Sequence, residues 1–375
     1  SHKASNDTLY IMYILLFIGA VITSIYVFTR TYPAFGGTTK RHIKERSKNF
    51  SGGKFVNQID TPMTMNIKSI VSLLQDQLKT HPHRKPSERI KSKRLNLSSA
   101  TASEPHITWF GHSTFLLALS GKTILLDPIF SNAASPIQAL GPKRFSDLPA
   151  IIDDLPHIDA VVISHDHYDH LDYHSIQQLS AKTSRFFVPI GLAAHLQRWG
   201  VGPDAITELD WWDEAKFDGV TFACTPSRHF SGRTLTDRFA TLWASWVIKT
   251  DDTSVYFSGD SGYGPHFAEI GAKYGPFDLT LLECGQYDRH WPNIHMTPEQ
   301  TMQAHLDLKG KRMVPMHWGT FALALHDWTD SIERVTAAGQ KTDARILTPQ
   351  IGETIAFTSV QSPLEKWWQK LDNLE

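Results

Sequence analysis

Cysteine is scarce in this chain: Cys224 and Cys284 are the only two among 375 residues. Each closes an apolar run (TFAC and LTLLEC), which predicts two buried free thiols. That leaves no disulfide framework of the kind that holds small secreted scaffolds together, and it points to a reducing compartment. An excess of one charge is also missing, since 37 Lys and Arg oppose 38 Asp and Glu for a formal net charge of -1. The balance argues against a broad basic face for nucleic acid, and so against a nuclease. No segment is low in complexity and no repeat recurs at a solenoid period. With 41% hydrophobic and 20% charged residues, the composition is that of a folded chain, long enough for one large domain or two ordinary ones.

One long hydrophobic run is present. Residues 9–29 (LYIMYILLFIGAVITSIYVFT) carry no charge and are long enough to cross a bilayer as a helix. A cleaved signal peptide has a shorter apolar region and a small-x-small cleavage site, which the following TRTYPAFGG does not offer. Residues 1–30 therefore read as a retained single-span anchor. Arg30, Lys40, Arg41, Lys44, Arg46 and Lys48 follow the span and only Lys3 precedes it, which places the remainder of the chain on the cytoplasmic side.

Residues 31–104 are polar, rich in Gly, Pro, Ser and Lys, and read as a linker and N-terminal extension. Within it, residues 64–79 fit an amphipathic helix, and the basic stretch 81–94 reads as a solvated segment or as a contact for anionic lipid headgroups. From His106 the texture changes. ITWF, TFLLAL, TILLDP, AVVIS, RFFVP, VTFACTP, WASWVIK, SVYFSGD, LTLLECG and MVPMHWG predict strands, with helices over 193–199, 298–308 and 328–338 between some of them. Such an order predicts layered sheets covered by helices across a domain at 105–358. The tail, 359–375, predicts a short amphipathic helix whose Trp367 and Trp368 cover the domain or touch an interface. Trp211, Trp212, Phe186, Phe187 and Trp291 are either core or apolar surface for a membrane or an acyl chain.

The chemistry concentrates in SHDHYDHLD, which places His165, His167, Asp169 and His170 within six residues of one another after the apolar run AVVIS. Imidazole nitrogen and carboxylate oxygen are ligands for borderline divalent ions: zinc, with iron and manganese suited by the same set. Alternation on an extended segment points His165 and His167 the same way, and a following turn carries Asp169 and His170 towards a second ion. Three more apolar runs end in ligand-type residues: His229 after VTFACTPSR, Asp260 after SVYFSG and His317 after MVPM. Residues at the ends of several strands converge on one sheet edge. Two neighbouring cations lower the pKa of a shared water enough to serve hydrolysis near neutral pH. His112 in GHST is a supporting candidate. Arg228 and Arg233, which flank His229, are candidates for holding a phosphate or for pairing with nearby acids.

HxHxDH followed by His, Asp and His resembles the metallo-β-lactamase superfamily. That resemblance implies an α/β layered fold, the αββα sandwich, with two Zn2+ at one edge. His165, His167 and His229 would hold the first ion, Asp169, His170 and His317 the second, and Asp260 would bridge them. WFGHSTFLL, LLDPIFS, GPKRF, SRHFSGRTLTDR, LWASWVI, SGDSGYGPHF, HMTPEQ and HWGTFAL carry the resemblance further, to the N-acyl-phosphatidylethanolamine-hydrolysing phospholipase D family, from about Trp109 to Leu325. The anchor and PAFGG resemble its bacterial members, which implies a bacterial inner-membrane location and a phospholipid substrate. The family further nominates Asp127, orienting a ligand imidazole, and His295, beside the substrate phosphoryl group. Asp169, Asp260 and His295 would then be the catalytic set. Two other readings share these residues: a zinc lactonase, esterase or β-lactamase acting on an acyl bond, and a membrane-tethered metal-binding protein without turnover.

Overall fold

The structure, a computed structural model, describes residues 2–63, 71–72, 75–76, 79, 82–100, 104–359 and 365–372. Most of the helix expected over 64–79 lies outside them. Helix α1 (His2–Thr31) contains an apolar stretch, Tyr10–Thr31, of mean hydropathy 2.4 with none of it buried. At 1.5 Å per residue its 22 residues reach about 33 Å, enough to cross a bilayer.

A two-stranded hairpin of β1 (Phe50–Ser51) and β2 (Lys54–Phe55) precedes two seven-stranded sheets. In the first, β3 (His106–Trp109), β4 (Phe115–Leu119) and β5 (Lys122–Leu126) run antiparallel, and β6 (Ile158–Val162), β7 (Thr183–Pro189) and β8 (Ile206–Leu209) continue parallel to β5. The second runs antiparallel through β9 (Glu214–Phe217), β10 (Val220–Thr225), β11 (Ser245–Lys249) and β12 (Ser254–Phe257). It then runs parallel through β13 (Leu279–Glu283), β14 (Arg312–Met316) and β15 (Arg345–Ile346). A last strand, β16 (Thr354–Ala356), returns beside β3. The ten strands expected from apolar runs are all present. Polar β8 and β9 were not legible, because they are the outermost strands of their sheets and face partly outward.

Successive side chains of β4 to β7 enter different cores, as the pleat requires. Leu117, Leu126, Val162 and Phe187 belong to the larger cluster shared with the second sheet. Their neighbours Leu116, Leu125, Val161 and Phe186 belong to the smaller one, with Ile176 of α2 (Tyr173–Leu179) and Leu196 of α3 (Ala193–Arg198). Burial on both faces explains why these strands read as continuous apolar runs. Helices α4 (His266–Tyr274), α5 (Pro298–Asp307) and α6 (Asp330–Gly339) add Phe267, Met302 and Val335 to the larger cluster. Helix α5 starts where Thr297 and Gln300 cap each other reciprocally, with Pro298 at its first position.

The segment after α1 is not the free linker its composition suggested. Ala34, Phe55, Ile90 and Leu95 are buried, and Arg89 of the basic stretch is bound to Asp147 and to the carbonyls of Arg144 and Ser146. At the other end Trp367 and Trp368 pack on Trp318, so the tail covers the domain. Both cysteines are free and buried.

His305 of α5 is fully buried, with Nδ1 2.8 Å from the Thr280 hydroxyl and Nε2 unpartnered. Burial pulls its pKa down to about 4. An unfolded histidine protonates near pH 6.5, so the contribution is intact above that pH and is lost as the pH falls towards 4. Between about pH 7 and about pH 5 this should remove about 2 kcal/mol of stability. The melting temperature of the parent should therefore fall more steeply over that interval than that of His305→Leu. Equal slopes would acquit this residue.

Candidate metal centre

The parallel strands β5, β6, β13 and β14 and the adjoining β12 carry the candidate residues at or just beyond their C-terminal ends, the edge where α/β sheets bind ligands. Asp127 follows β5, His165 to His170 follow β6, Asp260 follows β12, Glu283 ends β13 and His317 follows β14. His229 follows β10, and His112 lies in the turn between β3 and β4. His112, Asp127 and His317 adopt φ of 51, 36 and 69°, a left-handed backbone that costs about 1–3 kcal/mol each and concentrates at functional sites.

All seven expected ligands come together. One group comprises His165, His167, His229 and Asp260, and a second comprises His112, Asp169, His170 and His317; within each, the donor atoms lie within 4.8 Å of one another. His167 Nδ1 is 2.9 Å from His165 Nε2 and 3.2 Å from His229 Nε2, close to the ~3.3 Å between nitrogens sharing one tetrahedral zinc. Asp260 faces both groups. Its Oδ2 is 3.2 Å from His170 Nε2, 3.7 Å from His229 Nε2 and 3.8 Å from His165 Nε2, while Oδ1 is 3.3 Å from His317 Nδ1. His112 stands nearer than a supporting role required, with Nε2 2.8 Å from Asp169 Oδ2.

Surrounding groups fix which nitrogens carry lone pairs. His229 Nδ1 donates to the Ile294 carbonyl (2.9 Å) and His170 Nδ1 donates to Asp127 Oδ2 (2.7 Å), so both Nε2 atoms offer a lone pair to the cluster. The Ser164 hydroxyl donates to Asp127 Oδ2 (2.6 Å), so at 2.9 Å it can only accept from His165 Nδ1, which turns that Nε2 lone pair inward too. Burial holds His165, His229 and His317 well below the ordinary histidine pKa and His167 at about 4, which keeps them neutral. Burial also acts on His170, but Asp260, Asp169 and Asp127 overcome it and raise its pKa, so there a proton competes with a cation. His170 Nε2, His317 Nε2 and Asp260 Oδ1 are buried without a hydrogen bond. Such atoms cost about 1–3 kcal/mol each unless something else binds them, so the donor set fits metal ions.

Glu283 was missed in the sequence. Fully buried, with its carboxyl pushed well up by burial, it accepts from Met296 N (2.7 Å) and lies 2.8 Å from His295 Nδ1. Its own signal, an acid ending the apolar run LTLL, matches the pattern that marked Asp260. His295 stacks on His317 at 5.4 Å and, with Glu283 and Asp260, forms a third group of donors.

The centre floors a cavity of about 480 Å³ whose wall includes Met63, Phe230, Leu235, Trp291, Ile294 and Leu323. Trp291 therefore faces this cavity, whereas Trp211, Phe186 and Phe187 are core. The arginine in the wall is Arg238, stacked on Phe230 and Phe239 at 4.6 and 5.4 Å. Arg228 and Arg233 point elsewhere: Arg228 donates to the carbonyls of Asp60 and Tyr263, and Arg233 to those of Ala34, Asp166 and Leu171. Here they fasten the N-terminal segment rather than line the cavity.

Two stacked sheets, helices outside them and a His/Asp cluster at the strand ends define a metal-dependent hydrolase of the metallo-β-lactamase fold. The family described as "Beta-lactamase superfamily domain" matches residues 122–318, and the chain belongs to that superfamily. An uncharacterized protein of Mycobacterium tuberculosis is 42% identical over 334 residues, covering 88% of this chain and 89% of that protein. N-acyl-phosphatidylethanolamine-hydrolyzing phospholipase D 1 of Caenorhabditis elegans is 30% identical over 297 residues, covering 73% and 83%. Igni18, a metallo hydrolase of Ignicoccus hospitalis, aligns with a TM-score of 0.51 at 28% identity, covering 67% of this chain and 97% of that one.

Proposed function

We propose that the chain is a binuclear zinc phosphodiesterase of phospholipase D type. It hydrolyses N-acyl-phosphatidylethanolamine-like phospholipids to phosphatidic acid and an N-acylethanolamine, with its domain held at the cytoplasmic face of the membrane by α1. The observation that carries this reading is an apolar cavity with one arginine in its wall, opening onto two adjoining donor groups joined by Asp260. The relative named for N-acyl-phosphatidylethanolamine hydrolysis supports the substrate class.

His165, His167 and His229 would hold one ion, Asp169, His170 and His317 the other, and Asp260 both. When bound, the ions supply Lewis acidity: a more acidic water and positive charge opposite the phosphoryl oxygens. Phe230, Trp291, Ile294 and Leu323 exclude water and take the acyl chains. Arg238, stacked on Phe230 and Phe239, adds positive charge for the anionic lipid. His295 lies with Nδ1 2.8 Å from the Glu283 carboxyl, whose pKa is pushed well up by burial; as Nε2 passes its proton to the departing alkoxide, the Glu283 proton can move to Nδ1.

The test is hydrolysis of N-acyl-phosphatidylethanolamine in detergent micelles by metal-analysed protein. About two zinc ions per chain and release of phosphatidic acid are expected. Full metal occupancy with no release, together with turnover of a lactone or carboxylic ester, would move the activity to acyl bonds.

A further inference from the structure

A second cavity, of about 190 Å³, lies at the foot of α1, between the chain at 29–44 and the loop at 234–241. Three cations, Arg30, Lys44 and Arg198, and two carboxylates, Asp166 and Asp237, line it. Each carboxylate accepts hydrogen bonds from the surrounding loop. Asp237 Oδ1 accepts from the backbone of Arg233 (3.0 Å) and Thr234 (2.7 Å), and Asp166 accepts from Gly232 N (2.8 Å) and the Thr241 hydroxyl (2.9 Å). Arg198 is spent on the carbonyls of Arg30, Thr31 and Gly36, which bolts the end of α1 to the domain.

The other two cations are less engaged. Lys44 is half-buried and makes no ion pair within 4.0 Å among the described residues; burial lowers its pKa, opposed by the charge of Asp237. Arg30 donates to the Thr38 hydroxyl at 3.4 Å and lies over the Tyr26 ring at 5.4 Å, with no ion pair within 4.0 Å among the described residues. His195 is 3% exposed, and its Nδ1 accepts from Gly37 N (2.8 Å), so Nε2 carries the proton. That Nε2 faces the Asp166 carboxylate, with Oδ2 3.5 Å away. The Lys44 ammonium and the Arg30 guanidinium in the wall of one small cavity call for an anion with several acceptor oxygens. Arg30 is the first charge after residue 9 and stands at the end of the apolar stretch Tyr10–Thr31. In a spanning helix that level is the headgroup layer, where lipid phosphates are concentrated.

We propose that this cavity binds the phosphate of an anionic phospholipid headgroup, as a lipid site separate from the metal centre. Thr234 lines both cavities, so the loop that closes the headgroup site also forms part of the catalytic mouth, and an occupied site would order that mouth. The inference rests on α1 being a membrane anchor and is independent of which bond the metal centre cleaves.

The test is hydrogen exchange of the full chain, with its metals, in neutral detergent micelles. Dioctanoyl phosphatidylglycerol, inorganic phosphate and the phosphate-free dioctanoylglycerol are added separately. At ten times its Kd the phosphatidylglycerol should slow exchange across residues 36–44 about tenfold. Lys44→Gln should lose that protection and Lys44→Arg keep it, with melting temperatures unchanged. Because the metal centre is the same in all three proteins, lipid held there cannot produce the difference. Equal protection in Lys44→Gln, or equal protection by dioctanoylglycerol, would overturn the proposal. Protection by inorganic phosphate alone would overturn the headgroup as the source.

Discussion

Under the proposed function, Asp260→Asn should lower phosphodiester hydrolysis by at least about 10³-fold and leave the purified chain short of metal. Asp260 is the carboxylate whose two oxygens face different donor groups, Oδ2 towards His165, His170 and His229 and Oδ1 towards His317. Asparagine keeps the shape but removes one of the two carboxylate charges, Asp169 and Asp260, that would offset the two proposed divalent ions. It also turns an N–H donor towards sites that need a lone pair. A loss of several kcal/mol of charge stabilisation corresponds to the stated factor, because 1.36 kcal/mol is tenfold in rate. The metal-free proteins should order the other way. Burial pushes the Asp260 carboxyl up to about 6, so without cations its charge opposes folding, increasingly as pH rises from 3.8 through that value. Above about pH 6 the metal-free variant should melt no lower than the metal-free parent. A variant with two metals and parental turnover would remove Asp260 from the bridging position.

Much of this centre was legible because ligands follow strands. A buried strand needs a continuous apolar run, and a polar residue directly after it lies at the sheet edge, so His165, Asp260 and His317 announce themselves. Glu283 obeys the same rule, yet the run LTLLEC drew attention to its cysteine. Arg228 and Arg233 show what local pattern cannot carry. Their donors go to Asp60 and Ala34 carbonyls, about 170 and 200 residues away in sequence, on a segment whose composition reads as linker. Arg238 was passed over for the same reason: only the folded loop sets it beside Phe230 in the cavity wall. The cavity at the foot of α1 also joins distant segments, 29–44, 195–198 and 234–241, with Asp166 of the histidine motif.

Asp127→Asn should weaken metal binding about 10–100-fold while leaving most of the turnover recoverable at saturating zinc. Asp127 is completely buried and accepts from Ser164 N (2.7 Å), the Ser164 hydroxyl (2.6 Å) and His170 Nδ1 (2.7 Å). Burial raises its pKa; the His170 and Ser164 contacts oppose that shift. The carboxylate does not face the cavity, so it acts by holding His170 with its proton on Nδ1 and its lone pair inward. An amide nitrogen facing Nδ1 favours the other tautomer, which turns an N–H towards the cluster and blocks a ligand. Asparagine tolerates the left-handed backbone at φ 36°, so the variant changes the hydrogen bonds without adding strain. Asp127→Ala, by contrast, leaves three buried donors unpaired and should cost about 3–5 kcal/mol of stability. Chelator-competition titration of zinc, followed by turnover with zinc in excess, separates the two aspartates. Asp127→Asn should regain activity as zinc rises, whereas Asp260→Asn should not. An unchanged zinc Kd in Asp127→Asn would mean that His170 keeps its tautomer without the carboxylate.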